Sequence, residues 1–209
     1  MSCYYTLMCG RYYTDMSPEL RPIIEEAAQS PLSSVISHKL AKKMKAEGEV
    51  CPGDSAAVIA LNRNGEKKSF PMVWGYSAGK SRLIINARVE TASEKNMFYD
   101  SWYRHRCVIP ATAYIEWRRF HQEKKNAEKE RYRICPEKDM TWLCGLYRME
   151  DGIPHFVILT RNPGEEISFI HDRMPMIISG NDIDAWIDPK TDPSEIAGRA
   201  VTKMMFEKE

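Results

Sequence analysis

The sequence predicts an α+β fold: a curled, mainly antiparallel, barrel-like β-sheet core with peripheral helices. Three observations carry that expectation. Short runs rich in Val, Ile, Tyr and Trp recur along the chain and are closed by turn signals such as Asn64-Gly65 and Asp151-Gly152. Segments of helical spacing lie before, between and after these runs rather than alternating strictly with them, which favours an antiparallel sheet with helices outside. Apolar residues make up 43% of 209 residues and aromatics 10%, enough to fill a core and to exclude wholesale disorder.

The elements follow in order. Leu20, Ile23, Ile24 and Ala27 recur at helical spacing within 17–29; Ser17-Pro18 marks a start, and Pro22 sets the regular helix a little later. A second helix is expected over 33–47, opened by Ser33-Ser34 and stopped by Gly48. Residues 56–61 and 70–74 read as a hairpin about Asn64-Gly65. Residues 83–88 read as a strand and 92–105 as a helix. The stretch 107–117 reads as strand with a bulge at Pro110. After a polar excursion over 118–130, strands are expected at 131–135, 141–150 and 155–160, the last two joined by Asp151-Gly152, and a helix at 181–187 around Ala185-Trp186. Neither a repeat nor a low-complexity linker interrupts the chain, so residues 1–209 are expected to form one domain.

Charge is nearly balanced, with 30 Lys and Arg against 29 Asp and Glu, so the sum neither requires nor excludes a polyanionic partner. Its distribution is uneven. Between Arg104 and Arg133 lie eleven basic residues, histidines included, against four acidic ones; from Asp182 to Glu209 the balance is seven acidic to four basic. A basic middle suits a phosphate-facing surface or a solvated loop. The longest apolar runs reach only about five residues, far short of the roughly 20 of a membrane span, and no secretory h-region opens the chain, so a cytoplasmic protein is expected.

The six cysteines at 3, 9, 51, 107, 135 and 144 show no CxxC spacing, so neither a structural metal nor a disulfide framework is expected. GxGxxG, GxxxxGK[ST], HExxH and GxSxG are all absent, which argues against dinucleotide chemistry, nucleotide hydrolysis, zincin proteolysis and the α/β-hydrolase reaction. Three polar residues stand inside apolar, strand-like segments: Asn86 after Leu-Ile-Ile, Glu116 between Ile and Trp, and His171 after Ser-Phe-Ile. Each must be paired or cost roughly 1–3 kcal/mol, whether it is structural or functional. Alternation puts Asn86 and Arg88 on one face of a strand.

Met8-Cys9-Gly10-Arg11, Trp74-Gly75, residues 85–91 (Ile-Asn-Ala-Arg-Val-Glu-Thr), residues 106–110 (Arg-Cys-Val-Ile-Pro), Glu116-Trp117 and residues 171–175 (His-Asp-Arg-Met-Pro) occur in that order. Together they resemble the SOS response-associated peptidase family, the SRAP domain, over nearly the whole chain from Met8 to about Trp186. The resemblance implies an abasic-site sensor that joins covalently to single-stranded DNA through a mature N-terminal cysteine, with self-processing peptidase activity that exposes it. By that similarity Cys9 is the reactive residue, with Asn86, Glu116 and His171 around it. Arg11, Arg88, Thr160 and Arg173 would contact DNA, and Trp74 would line the groove. The implied partner is single-stranded DNA containing abasic sites, bound by a monomer without metal, cofactor or membrane.

The implied chemistry explains why such a cysteine must be terminal. A free α-amine, with a reference pKa of about 7.7–8.0, attacks the open-chain aldehyde of an abasic sugar to give a Schiff base. The thiol of the same residue then closes a five-membered thiazolidine. An internal cysteine offers only an amide nitrogen and at best a labile hemithioacetal. Glu116 and His171 would move the protons. In the sequence as it stands seven residues precede Met8, so either translation is expected to begin at Met8 with that initiator removed, or residues 1–8 form a leader removed through attack of the Cys9 thiol on the preceding carbonyl. Two other readings stay open: a thiol peptidase acting on other proteins, and a non-catalytic module that binds single-stranded DNA through the basic middle with Trp74, Trp102 and Tyr103.

Overall fold

The computed structural model describes residues 9–79, 82–118 and 130–209. The expected leader, 1–8, and most of the expected polar excursion, 119–129, lie outside the described residues. In chain order the elements are β1 Arg11–Thr14, α1 Arg21–Gln29, α2 Pro31–Leu40, β2 Gly48–Val50, β3 Ser55–Leu61, β4 Lys67–Trp74, β5 Tyr76–Ser77, β6 Leu83–Ile84 and β7 Asn86–Arg88. Then come α3 Val89–Ala92, α4 Asn96–Arg104, β8 Arg106–Ala111, β9 Ala113–Trp117, β10 Arg131–Pro136, β11 Thr141–Glu150 and β12 Ile153–Arg161. The chain ends through β13 Met174–Pro175, β14 Ile177–Ile178, α5 Ile183–Ile187, α6 Pro193–Gly198 and β15 Met204–Lys208.

The α+β expectation holds, and the barrel can be specified. Strands β12, β4, β3, β8 and β11 pair in that order, and β11 pairs back onto β12. The ring is therefore closed. Every contact in it is antiparallel except β4 with β12, which is parallel. A second sheet, ordered β15-β10-β9-β1-β2, lies against it. Alternation of side chains divides the interior into two cores. Val58, Ile109, Phe156 and Ile158 join Tyr12, Tyr114 and Ile134 of the second sheet in one; Ile59, Val108, Val157 and Leu159 join Trp102, Trp186 and Ile196 of the outer helices in the other.

Several boundaries differ from expectation for identifiable reasons. The second helix starts at Pro31, capped by Ser30, whose hydroxyl accepts from the Leu32 amide at 3.4 Å, and it ends at Ala41 in a left-handed conformation (φ 53°) rather than at Gly48. The 83–88 strand is split at Ile85, because β6 pairs with β5 whereas β7 runs parallel to β12. Pro110 makes no bulge; it sits in register opposite Trp142, and the break falls at Thr112, whose amide donates to Tyr13 O at 2.8 Å.

The basic middle does not form one surface among the described residues. Arg106 is 2% exposed and donates to the carbonyls of Trp102, Tyr103, Trp186, Asp188 and Thr191. The acidic end is not merely a solvated tail: Trp186 is buried against Cys107 O, and β15 completes the second sheet. Among the described residues no helix is long and apolar enough to cross a membrane.

Candidate functional site

Strand β9 is the middle strand of the second sheet. Its register sets Tyr114 opposite Tyr12 and Glu116 opposite Tyr132. Tyr12, Tyr114 and Tyr132 all belong to the first core, so Glu116 points inward with them and is 2% exposed. A buried carboxylate requires partners. One is the backbone N–H of Cys9, which donates to Oε2 at 2.7 Å. His171 lies on the other side, with Nε2 3.8 Å from Oε1. That separation is longer than a hydrogen bond.

His171, 5% exposed, follows the short helical turn Glu165–Ile167. Its Nδ1 accepts the backbone N–H of Arg173 at 3.0 Å and lies 2.9 Å from Asp172 Oδ1. The two contacts require opposite protonation at one atom. A neutral ring with its hydrogen on Nε2 satisfies the Arg173 amide, and a doubly protonated ring satisfies Asp172. The imidazole thus has a partner for Nδ1 in either state, which suits a group that takes up and returns protons.

Cys9 is 1% exposed and has a positive φ of 37°, a conformation costly for a non-glycine residue. Burial pushes its thiol well above the ordinary range, and the nearby Glu116 carboxylate adds to the rise. The sulfur therefore stays protonated near neutral pH. Tyr114, which the sequence did not single out, lies in the same core. Its hydroxyl has no hydrogen-bond partner among the described residues, and burial first, then Cys9 and Glu116, raise its pKa well above the usual phenol value. The clue in the sequence was its two-residue spacing from Glu116.

The expected DNA contacts divide. Arg88 is exposed at the end of β7, on the face of half-buried Asn86 and with Ala87 buried between them; it makes no hydrogen bond or ion pair among the described residues. Arg11 is nearly half exposed, bonded to Glu49 and 5.5 Å over the ring of Trp117. Arg173 and Thr160, by contrast, are buried. The Arg173 guanidinium, 9% exposed, grips both oxygens of Glu90 at 2.7 Å, Asn162 Oδ1 at 2.7 Å and Thr160 O at 2.6 Å. Thr160 is fully buried, and its hydroxyl donates to Ala87 O at 3.4 Å. Trp74, expected to line a groove, is buried in this structure. Its ring has no exposed surface, stacks 6.1 Å from Phe156, and donates from Nε1 to Ile85 O. It braces the loop that leads to Asn86.

Cys9, Glu116 and His171 are therefore brought together in this structure, and Asn86 and Arg88 stand together on β7. Among the described residues no cluster of three or more His, Cys, Asp or Glu is placed to hold a metal ion.

A family model described as SOS response associated peptidase (SRAP) matches residues 8–208. The abasic site processing protein YoqW of Bacillus subtilis (strain 168) is 35% identical over 164 residues, which cover 70% of this chain and 72% of that protein. The abasic site processing protein YedK of Escherichia coli (strain K12) is 28% identical over 163 residues, 74% of this chain and 68% of that one. Among solved structures, a phage-related protein from Bordetella bronchiseptica shares the fold with a TM-score of 0.73 at 21% identity, covering 96% of this chain and 94% of that one.

Proposed function

The chain belongs to the SOS response associated peptidase family, and from that premise we propose that it captures abasic sites in single-stranded DNA, with Cys9 as the covalent centre. One observation carries the reading: the nitrogen of Cys9 lies 2.7 Å from a buried carboxylate that has a histidine on its far side. Removal of residues 1–8 turns that nitrogen into the α-amine, already in contact with the group that takes its proton. The family match begins at Met8, one residue before Cys9, which supports this assignment.

The amine attacks C1′ of the open-chain sugar, and the carbinolamine loses water with Glu116 relaying protons at nitrogen. His171 protonates the sugar oxygen as the ring opens. The thiol then adds to the imine carbon while its proton passes to nitrogen, giving the thiazolidine. One water is released in all. A thiol kept protonated by burial fits this order, since nitrogen acts first and sulfur second. The 3.8 Å between His171 and Glu116 leaves room for a reacting oxygen to bond to both. Arg88 takes a flanking phosphate. An abasic residue in a single strand needs no unstacking from a duplex, which favours that substrate.

Self-cleavage uses the same groups. The Cys9 thiol attacks the Met8 carbonyl, Glu116 in its acid form protonates the departing Cys9 nitrogen, and water hydrolyses the thioester. Breaking that bond also abolishes the φ torsion of Cys9, releasing strain on the order of 1–3 kcal/mol.

The test is incubation with an oligonucleotide bearing an aldehydic abasic site, followed by denaturing electrophoresis and intact mass. A heat-stable adduct is expected from molecules that begin at Cys9, and none from Cys9→Ala. Glu116→Gln should slow adduct formation by roughly 10²- to 10⁴-fold while leaving the fold intact. Equal adduct yield from molecules that retain residues 1–8 would remove the thiazolidine, and an unchanged rate in Glu116→Gln would remove the proton relay.

A further inference from the structure

Two phenylalanines stand at the rim of this site with far more exposed surface than core residues show. Phe169, two residues before His171, is 42% exposed, and Phe206 on β15 is 44% exposed. Their ring centroids are 5.2 Å apart at 70°, and both rings meet the edge-on ring of buried Tyr132, at 5.8 and 6.0 Å. The three form one aromatic step fixed at its inner end. Its position is set by sheet register: Tyr132 lies directly opposite Glu116 on β9, and Lys208 lies directly opposite Tyr132 on β15. At about 4.8 Å per strand, the step begins one strand from Glu116 and ends at Phe206, two strands across and two residues along, roughly 12 Å away between Cα positions.

Cations border the step. The Arg118 guanidinium lies 5.5 Å over the Phe169 ring. Glu130 fixes both Arg118, at 3.1 Å, and Lys208, at 2.6 Å, while accepting the Tyr132 hydroxyl at 3.1 Å. One carboxylate thus sits between two cations beside the exposed π-faces. That combination matches a single strand of nucleic acid, whose bases stack and whose phosphates are anionic.

We propose that the Phe169–Phe206 step is the stacking subsite for a base next to the abasic nucleotide, with Arg118 and Lys208 facing its phosphate. The subsite rests on the reading of Cys9, Glu116 and His171 given above, and deepens it. An abasic nucleotide has no base of its own to stack, so its neighbour must supply the contact that holds the strand in register.

The experiment is equilibrium binding of the full chain to two fluorescent single-stranded oligonucleotides. The first carries one unreactive abasic analogue between adenines; the second carries the same analogue with both neighbouring bases also removed. The wild-type chain is expected to bind the first more tightly by about 5- to 150-fold, the span of stacking per base. Phe169→Ala and Phe206→Ala should each lose most of that preference and bind the second as the wild type does, whereas Phe169→Trp should keep it. Both variants should show the wild-type melting profile. The proposal is overturned if Phe169→Ala binds both oligonucleotides as the wild type does, or loses affinity equally for both. It is also overturned if the substitutions instead convert a self-associated wild-type chain to monomer. Because the analogue cannot react, these outcomes are independent of whether a covalent adduct forms with an aldehydic site; failure of that adduct alone refutes the catalytic reading and leaves this measurement standing.

Discussion

Arg88 and Arg173 have the same side chain, and the sequence offered the same role for both. Their surroundings separate them. Arg88 is exposed with no hydrogen bond or ion pair among the described residues, whereas Arg173 holds Glu90 with both nitrogens and keeps that carboxyl below its ordinary pKa through those hydrogen bonds. Arg88→Ala should therefore weaken DNA binding and reduce the slope of log affinity against log salt by roughly 0.7, one phosphate contact on a single strand, with the melting temperature unchanged. Arg173→Ala should leave the salt slope alone and destabilise the fold by about 1–3 kcal/mol, a range kept low because Glu90 is nearly half exposed. It should also disturb His171, whose Nδ1 is set by the Arg173 amide. Salt titrations beside thermal melts decide the matter: a flattened slope in Arg173→Ala would return that residue to the DNA surface.

Strand β15 shows what local pattern does and does not reveal. Residue 206 pairs with residue 134, and nothing near either position announces a partner so distant in sequence. The β3–β4 hairpin was legible because its turn and both apolar strand runs lie within twenty residues, and Asp151-Gly152 was legible because both residues take the positive φ that its turn requires. Glu116 was legible as a polar residue in an apolar strand; its association with Cys9, 107 residues away, came only through the family resemblance and not from local pattern. The burial of Trp74 was not legible, because a Trp-Gly pair reads alike in a core and on a ligand surface. β15 also carries a pH test. Lys208 and Arg118 hold the Glu130 carboxyl down to about 2 against an ordinary 4.5. A carboxyl with a depressed folded pKa contributes stability that is present above its unfolded value and is lost as the pH falls through the folded one. Protection factors of β15 amides, corrected for the intrinsic exchange rate at each pH, should therefore fall between about pH 4.5 and 2, and Glu130→Gln should remove that dependence. Identical profiles for the two proteins would exclude Glu130 as the latch.

At the scale of the whole molecule, the closed five-strand ring is what allows a buried carboxylate, a histidine and a strained cysteine to persist. Residues on the inner faces of β3, β8 and β12 share one core with Cys9, Tyr114 and Tyr132, so the site rests on the ring. Closure in turn depends on close approach where β11 is held between β8 and β12. Gly145 lies at that point, opposite Cys107 on one side and Ile158 on the other. A Cβ there would come within 2.6 Å of Ile109 Cδ1, 2.8 Å of Val157 O and 3.0 Å of Cys107 Sγ. The Ile109 side chain can turn aside. The Val157 carbonyl belongs to the barrel ladder and cannot move without parting strands. Gly145→Ala should therefore cost about 1–3 kcal/mol, or on the order of 2–12 °C in melting temperature for a chain of this size. The loss should be cooperative, with β9 and β12 amides losing protection together, because both sheets share the first core. Adduct formation measured well below the melting point should keep its wild-type rate, since no reacting group touches Gly145. A variant that melts like the wild type would show that β11 is not the tight seam of the ring, and one that melts normally yet reacts slowly would tie Gly145 to the chemistry instead of to closure.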